Sequence, residues 1–304
     1  NLAYNTHIKK HNLHIITQHT QNRTAAKGNT MTQNTPKEVL LGALKQAIKA
    51  THPDQCLKPF IPEPPKGNTY VIGAGKAAAS MVQAFEKYYK APYTGFAVTR
   101  YGYALPTKTI KLAEASHPVP DSAGQKAADT IKNIVGKATK DDLVIILLSG
   151  GASALLSNTP DSVNFDELQN ITKQLLSCGA TISEINTVRK HIGTLFGGKL
   201  LKHAAPARVV TLAISDVAGD DPATIGSGPT APDPTTLTDS LNIIKHYNIK
   251  ISQSMKSYLE NNDNETLKNS DPVCDLSTYH LIMTPQKMLE ETARYISSNS
   301  TINC

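Results

Sequence analysis

No run of about 18 apolar residues occurs anywhere in the chain, so no membrane-spanning helix is expected. The first residues lack an apolar core segment and a small-residue cleavage site, which argues against a secretory signal. Cysteine is scarce. Cys56, Cys178, Cys274 and Cys304 are the four present, and none stands in a C-x-x-C pair. A disulfide framework and a zinc site of that type are therefore not expected, and a reducing, cytoplasmic setting fits. Acid is missing from residues 1–30, where Lys9, Lys10, Arg23 and Lys27 supply four of the charges behind the formal net +6. The same stretch holds His7, His11, His14 and His19 and shows neither helical nor strand periodicity. It reads as a disordered basic tail, or as an extension ahead of Met31. Without Arg clusters or interleaved aromatics, it gives no reason to expect a nucleic-acid partner.

What is present describes a globular α/β chain, with 39% hydrophobic and 18% charged residues. Residues 37–50 set Leu40, Leu41, Leu44 and Ile48 on one helical face. A Pro-rich connector follows. Buried strands are predicted at 69–75, 95–100, 142–150 and 207–216, with a weaker one at 111–117. Helices are predicted at 76–89, 121–138, 165–179 and 182–193, the second opened by Asp121 as N-cap. Strands alternating with helices imply a mostly parallel, Rossmann-like sheet with helices on both faces. Ligands of such sheets sit at the carboxyl ends of the strands.

Several of those ends carry chemistry. Gly73-Ala74-Gly75-Lys76-Ala77-Ala78 allows close backbone approach, offers helix N-terminal amides to an anion and adds the Lys76 charge. It satisfies G-x-G-x-x-A, but Arg100 stands where a dinucleotide fold would place an acid, and no G-x-x-x-x-G-K-[ST] loop occurs. A plain glycine turn is the alternative. Ser149-Gly150-Gly151-Ala152-Ser153 follows the most apolar strand and suits backbone and hydroxyl contacts to phosphate. A nucleophilic serine elbow is not supported, because G-x-S-x-G is missing. In Asn186-Thr187-Val188-Arg189-Lys190-His191, Arg189 is suited to clamp a carboxylate or phosphate, and a solvated face is the competing reading. Asp216, Asp220 and Asp221 crowd three carboxylates past a buried strand, which suits Mg²⁺ or an exposed acidic turn. His117, in Ser116-His117-Pro118-Val119-Pro120-Asp121, is a candidate substrate contact or a packing residue.

The order of these segments resembles the catalytic domain of the type II glycerate 2-kinases. GAGKAA, HPVPD, LLSGGASALL, INTVRKH with GGK, and SDVAGDDPATIGSGPTAPDPTT carry the resemblance, from about residue 37 to at least 245. It implies ATP, Mg²⁺ and phosphorylation of the 2-hydroxyl of D-glycerate, giving 2-phosphoglycerate. Lys76 matches the family's important lysine and Arg189 the arginine of its V-R-K-H motif. Ser149, Gly150, Gly151 and Ser153 match its phosphate loop, and Asp216, Asp220 and Asp221 its acidic motif. With Gly73 and Gly75 these form the expected catalytic, nucleotide and metal sets. The expected organisation is a tail at 1–30, a catalytic domain at 31–270 and the start of a truncated second domain at 271–304. Three departures stand out: Ala152 where a third glycine is usual, Gly193 and Phe196 where Ser and Lys are usual, and an end at Cys304 before the family's C-terminal Gly-rich motifs. An NAD(P)H-dependent hydroxypyruvate reductase and a non-catalytic nucleotide-binding remnant are the alternative functions.

Overall fold

The computed structural model describes residues 35–299, so the basic N-terminal stretch and Cys304 lie outside the described residues. Helix α1 (Pro36–Thr51) starts from a capping box: the Thr35 hydroxyl accepts the Glu38 amide while Glu38 accepts the Thr35 amide. Its apolar stripe is not its buried face. Leu40, Leu41, Leu44 and Ile48 are exposed, and Val39, Ala43 and Ala47 are buried instead.

The rest of the chain alternates strand and helix. In order come β1 (Thr69–Ala74), α2 (Ala78–Tyr88), β2 (Thr94–Arg100), β3 (Lys111–Ala115), α3 (Ser122–Val135), β4 (Leu143–Ser149) and the short α4 (Ala152–Leu155). Then follow α5 (Phe165–Ser177), α6 (Ile182–Ile192), α7 (Lys199–Ala204), β5 (Arg208–Ile214), α8 (Leu237–His246), α9 (Gln253–Glu260), β6 (Ser277–Met283) and α10 (Pro285–Asn299). Asp121 caps α3 as its sequence suggested, accepting the Gly124 amide at 2.9 Å.

The strands form one sheet in the order β3-β2-β1-β4-β5-β6, and every pairing is parallel. Every residue of β4 is buried, and its side chains alternate between two cores. Val144, Ile146 and Leu148 pack with Ile131 and Val135 of α3 and Leu200 of α7. Leu143, Ile145 and Leu147 pack with Met81 and Phe85 of α2. Each such side chain contributes roughly 1.5–3 kcal/mol of burial, so β4 anchors both faces. A third cluster joins α5, α6, α8 and α9 beside the sheet through Ile171, Val188, Ile244 and Met255.

The expected boundary at residue 270 does not break this fold. β6 pairs with β5 along the sheet edge, and α10 packs on α1, where a Cβ on Gly42 would run into the Tyr295 hydroxyl. Strand pairing and helix packing thus tie 277–299 to the preceding chain. Cys56, Cys178 and Cys274 are free thiols. Among the described residues no helix is long and apolar enough to cross a membrane.

The strand order reverses between β1 and β4, which creates a crevice at their carboxyl ends. Ala74 is level with Leu148, and Ser149 is level with Ile214. The segments after β1, β4 and β5 are therefore neighbours on one rim.

Candidate active site

The turn after β1 closes onto β4. Gly75 has φ +124°, and a Cβ there would collide with the Ser149 hydroxyl and carbonyl. Only glycine passes this point without strain. The Lys76 amide donates to the Gly150 carbonyl at 2.9 Å, and the Ala77 amide donates to Ser149 Oγ at 3.0 Å. The Gly75 and Ala78 amides donate to Val98 and Gly75 carbonyls. The amides of 75–78 are thus committed within the protein. Gly73 and Gly75 with their neighbours form a clasp between two strands, in place of the phosphate cradle expected from sequence. Ser149 is buried and belongs to that clasp.

The turn after β4 is different. Among the described residues, the amides of Gly151, Ala152 and Ser153 have no hydrogen-bond acceptor, and Gly151 caps α4 with no side-chain contact. Gly151 has φ +89°, and a Cβ there would sit 3.1 Å from both the Lys76 and the His117 side chains. A Cβ on Gly150 would strike the Asp216 carboxylate. Ser153 Oγ accepts a hydrogen bond from Ser227 Oγ at 2.8 Å, which leaves the Ser153 proton free to donate. Ala152, at the family's usual third glycine, is fully buried and close to Gly226.

Lys76 leaves the clasp toward β5, and its Nζ lies 2.9 Å from Asp216 Oδ2. Both side chains are more than 40% exposed, so this pair is worth at most about 1 kcal/mol to stability. A stability role does not account for it.

Helix α6 presents Ile182, Asn186 and Arg189, spaced as one helical stripe, to a cavity of about 420 Å³ at this rim. His117, Gly151, Ser153 and Asp216 line the same cavity. The Arg189 guanidinium is half-buried, donates to Asn186 Oδ1 at 3.0 Å, and has no carboxylate partner among the described residues. Burial draws its pKa down to about 10, which leaves it charged at neutral pH and electrostatically unsatisfied.

The other two basic residues of the V-R-K-H segment turn away. Lys190 Nζ pairs with Asp233 Oδ1 at 2.6 Å, with both side chains nearly inaccessible. His191 bridges the Thr187 carbonyl at 2.8 Å and Glu265 Oε1 at 3.0 Å. Buried Lys199 donates to the carbonyls of Lys190, His191 and Gly193, closing the C-terminus of α6. The departures at Gly193 and Phe196 are coupled, because a Cβ on Gly193 would stand 2.8 Å from the Phe196 ring, which is fully buried.

The three acidic residues are not brought together. Asp216 lines the cavity, whereas Asp220 and Asp221 do not. Asp221 spends both oxygens on its own turn, accepting the Ala223 amide and the Thr224 hydroxyl at 3.0 Å each. Asp220 adopts φ +53° and keeps one buried carboxylate oxygen without a partner. Among the described residues no group of three metal-ligating side chains forms. Sequence reasoning left His117 ambiguous, although it sits just past β3, where strand-end logic would seek it.

Over residues 39–260 the sequence matches the family described as Domain of unknown function (DUF4147). It is 42% identical over 258 residues to an Agrobacterium vitis protein that carries a provisional hydroxypyruvate reductase name, covering 84% of this chain and 58% of that one. It is 36% identical over 249 residues to a D-glycerate 2-kinase of Thermotoga maritima, covering 79% of this chain and 60% of the relative. The crystal structure of a Thermotoga maritima glycerate kinase superposes with a TM-score of 0.78 at 34% identity, covering 86% of this chain and 62% of that one. The chain thus spans about three fifths of the length of these relatives. By its matched domain, its relatives and its fold, this chain belongs to the glycerate 2-kinase family, through the domain described as DUF4147.

Proposed function

We propose that the rim binds ATP with Mg²⁺ and transfers the terminal phosphoryl group to the 2-hydroxyl of D-glycerate or a similar 2-hydroxy acid. One observation carries this reading: a half-buried Arg189 with no carboxylate partner among the described residues lines the same cavity as Gly151 and Ser153, whose amides have no acceptor among those residues. Both sets of donors call for anions, and a phosphorylated nucleotide with a hydroxy acid supplies two. The cavity volume, about 420 Å³, falls in the small-molecule range.

The amides of 151–153 and the Ser153 hydroxyl hold phosphate oxygens. Arg189, oriented by Asn186, takes the substrate carboxylate in a two-pronged contact. Lys76, held beside the cavity by its contact with Asp216, stabilises negative charge as the phosphoryl group moves. Asp216 suits Mg²⁺, which needs only one or two protein carboxylates when phosphate oxygens and water complete its shell. Asp220, with its orphaned oxygen, is the second candidate ligand, and Asp221 is not one. Held there, the ion would supply positive charge to offset the charge of the phosphates.

The reductase reading has weaker support. The committed amides of 75–78 offer no seat for a dinucleotide pyrophosphate, and Arg100 stacks on Tyr103 at 3.9 Å. The deciding assay measures ADP release with ATP, Mg²⁺ and D-glycerate, and NADPH loss with hydroxypyruvate. ADP release that needs D-glycerate and is lost in Lys76→Met supports phosphoryl transfer. NADPH consumption assigns the reductase, and nucleotide binding without either turnover assigns a binding domain.

A further inference from the structure

We infer that His117 is the proton acceptor for the substrate hydroxyl, a catalytic role that rests on the phosphoryl-transfer reading above. His117 follows β3, and its imidazole lies over Gly151. A Cβ on Gly151 would stand 3.1 Å from His117 Cδ2 and 3.2 Å from Nε2, and the same distance of 3.1 Å from Lys76 Cγ. The imidazole and the Lys76 side chain therefore both border Gly151. It also lines the cavity that holds Arg189 and Asp216.

Four groups at this rim have the chemistry to take a proton or hold charge, and three are poorly suited to act as the base. Arg189 is permanently protonated and lacks a lone pair to offer. Lys76 is an ammonium held by Asp216. Asp216 already accepts a hydrogen bond from that ammonium at 2.9 Å. His117 is the remaining group. Among the described residues nothing hydrogen-bonds its ring, so both nitrogens are available. Although the residue is exposed, partial desolvation of its ring, and then the positive charges of Lys76, Arg100 and Arg189, hold its pKa below the ordinary histidine value, against an opposing pull from Asp216. The ring is therefore neutral at pH 7, with a lone pair facing a site rich in positive charge.

The step balances. The substrate 2-hydroxyl oxygen attacks the terminal phosphorus of the nucleoside triphosphate. A new O–P bond forms, and the bond from that phosphorus to the bridging oxygen breaks, its electron pair leaving with the nucleoside diphosphate. The hydroxyl proton passes to His117, giving an imidazolium that returns it to solvent. No oxidant, reductant or further reactant is required.

The test compares wild type, His117→Ala and His117→Gln in the full chain, following ADP release from ATP, Mg²⁺ and D-glycerate between pH 5.5 and 9. His117 is exposed, so both variants should keep the wild-type unfolding midpoint. Removal of a general base should lower kcat by about 100-fold or more with little change in KM for ATP, and abolish the acid limb of the profile. Glutamine can hydrogen-bond but cannot accept this proton, so it should not rescue, whereas free imidazole should partly restore His117→Ala. His117→Gln with near wild-type kcat and an unchanged pH profile overturns the base assignment and leaves phosphoryl transfer standing. Wild type without turnover overturns the functional reading and this role together. A ring-nitrogen NMR titration gives a second readout: the His117 signal should titrate below the ordinary histidine range and move on addition of D-glycerate. A ring that titrates ordinarily and ignores D-glycerate refutes the role.

Discussion

Replacing Lys190 by Met, or Asp233 by Leu, tests whether the basic residues of α6 divide into one functional and two structural groups. Lys190 Nζ and Asp233 Oδ1 are 2.6 Å apart, with side chains 7% and 0% exposed. Burial raises the Asp233 pKa, but Lys190 and the Thr235 amide and hydroxyl outweigh it, so the carboxyl stays ionised well below its usual range. Removing one partner of such a pair leaves a buried charge uncompensated, at a cost of about 3–5 kcal/mol. The two singles should differ. In Lys190→Met the carboxylate keeps its Thr235 donors, so the loss should lie near the lower end. In Asp233→Leu the ammonium has no other hydrogen-bond partner among the described residues, so the loss should approach the upper end. The double variant replaces a charged pair by apolar side chains, and should recover to within about 1–2 kcal/mol of wild type. Urea unfolding followed by far-UV circular dichroism measures all three, and tyrosine fluorescence provides a second probe, because the chain has 11 Tyr and no Trp. Singles that cost under about 1 kcal/mol, or a double equal to their sum, would refute the reasoning.

The remaining predictions concern pH, the clasp and a turn. Glu265 is pushed up by burial but pulled down more by the Leu237 and Thr266 amides and Lys268, to about 2 from 4.5. Its contribution, at most about 3 kcal/mol, is full above pH 4.5 and fades as pH falls toward 2. Glu265→Gln should therefore destabilise strongly at pH 7 and much less at pH 3, and equal losses at both in denaturant titrations would contradict the assignment. Gly150→Ala puts a methyl against the Asp216 carboxylate, the free end of an exposed side chain. It should cost under about 1 kcal/mol of stability yet lower phosphoryl transfer, and unchanged turnover would remove the Lys76–Asp216 geometry from the mechanism. Asn248→Gly relieves a φ of +52° at the end of α8 and should raise stability by about 0.5–1 kcal/mol in thermal unfolding.

Much of this fold was legible because each strand is a short apolar run ended by glycine, serine or charge. The periodicity locates β4 and α6 to within a residue or two of their observed limits. The exposed stripe of α1 shows where that signal fails. Leu40, Leu41, Leu44 and Ile48 have the right spacing, but contact with α10 is made through the small residues beside them, including Gly42. Side-chain direction on α6 was equally hidden. Lys190 and His191 are adjacent to Arg189 in sequence, yet their partners Asp233 and Glu265 lie 43 and 74 residues onward. Nothing local distinguishes a cation that will be paired from one left facing a cavity.

The two glycine turns make the same point about the site itself. After β1 and after β4 the sequence offers similar material, small residues leading into a helix, and both look able to hold phosphate. At a switch point between parallel strands the two turns touch, so one supplies donors to the other. Here the amides of Lys76 and Ala77 satisfy the Gly150 carbonyl and the Ser149 hydroxyl. The direction of donation decides the outcome: the β1 turn becomes the clasp, and the amides that follow β4 are left without acceptors among the described residues. The Lys76 side chain leaves the clasp toward Asp216 while its backbone stays behind. A charged side chain and a glycine turn that are adjacent in sequence therefore part in space, one beside the cavity-lining Asp216 and the other as the joint that holds two strand ends together.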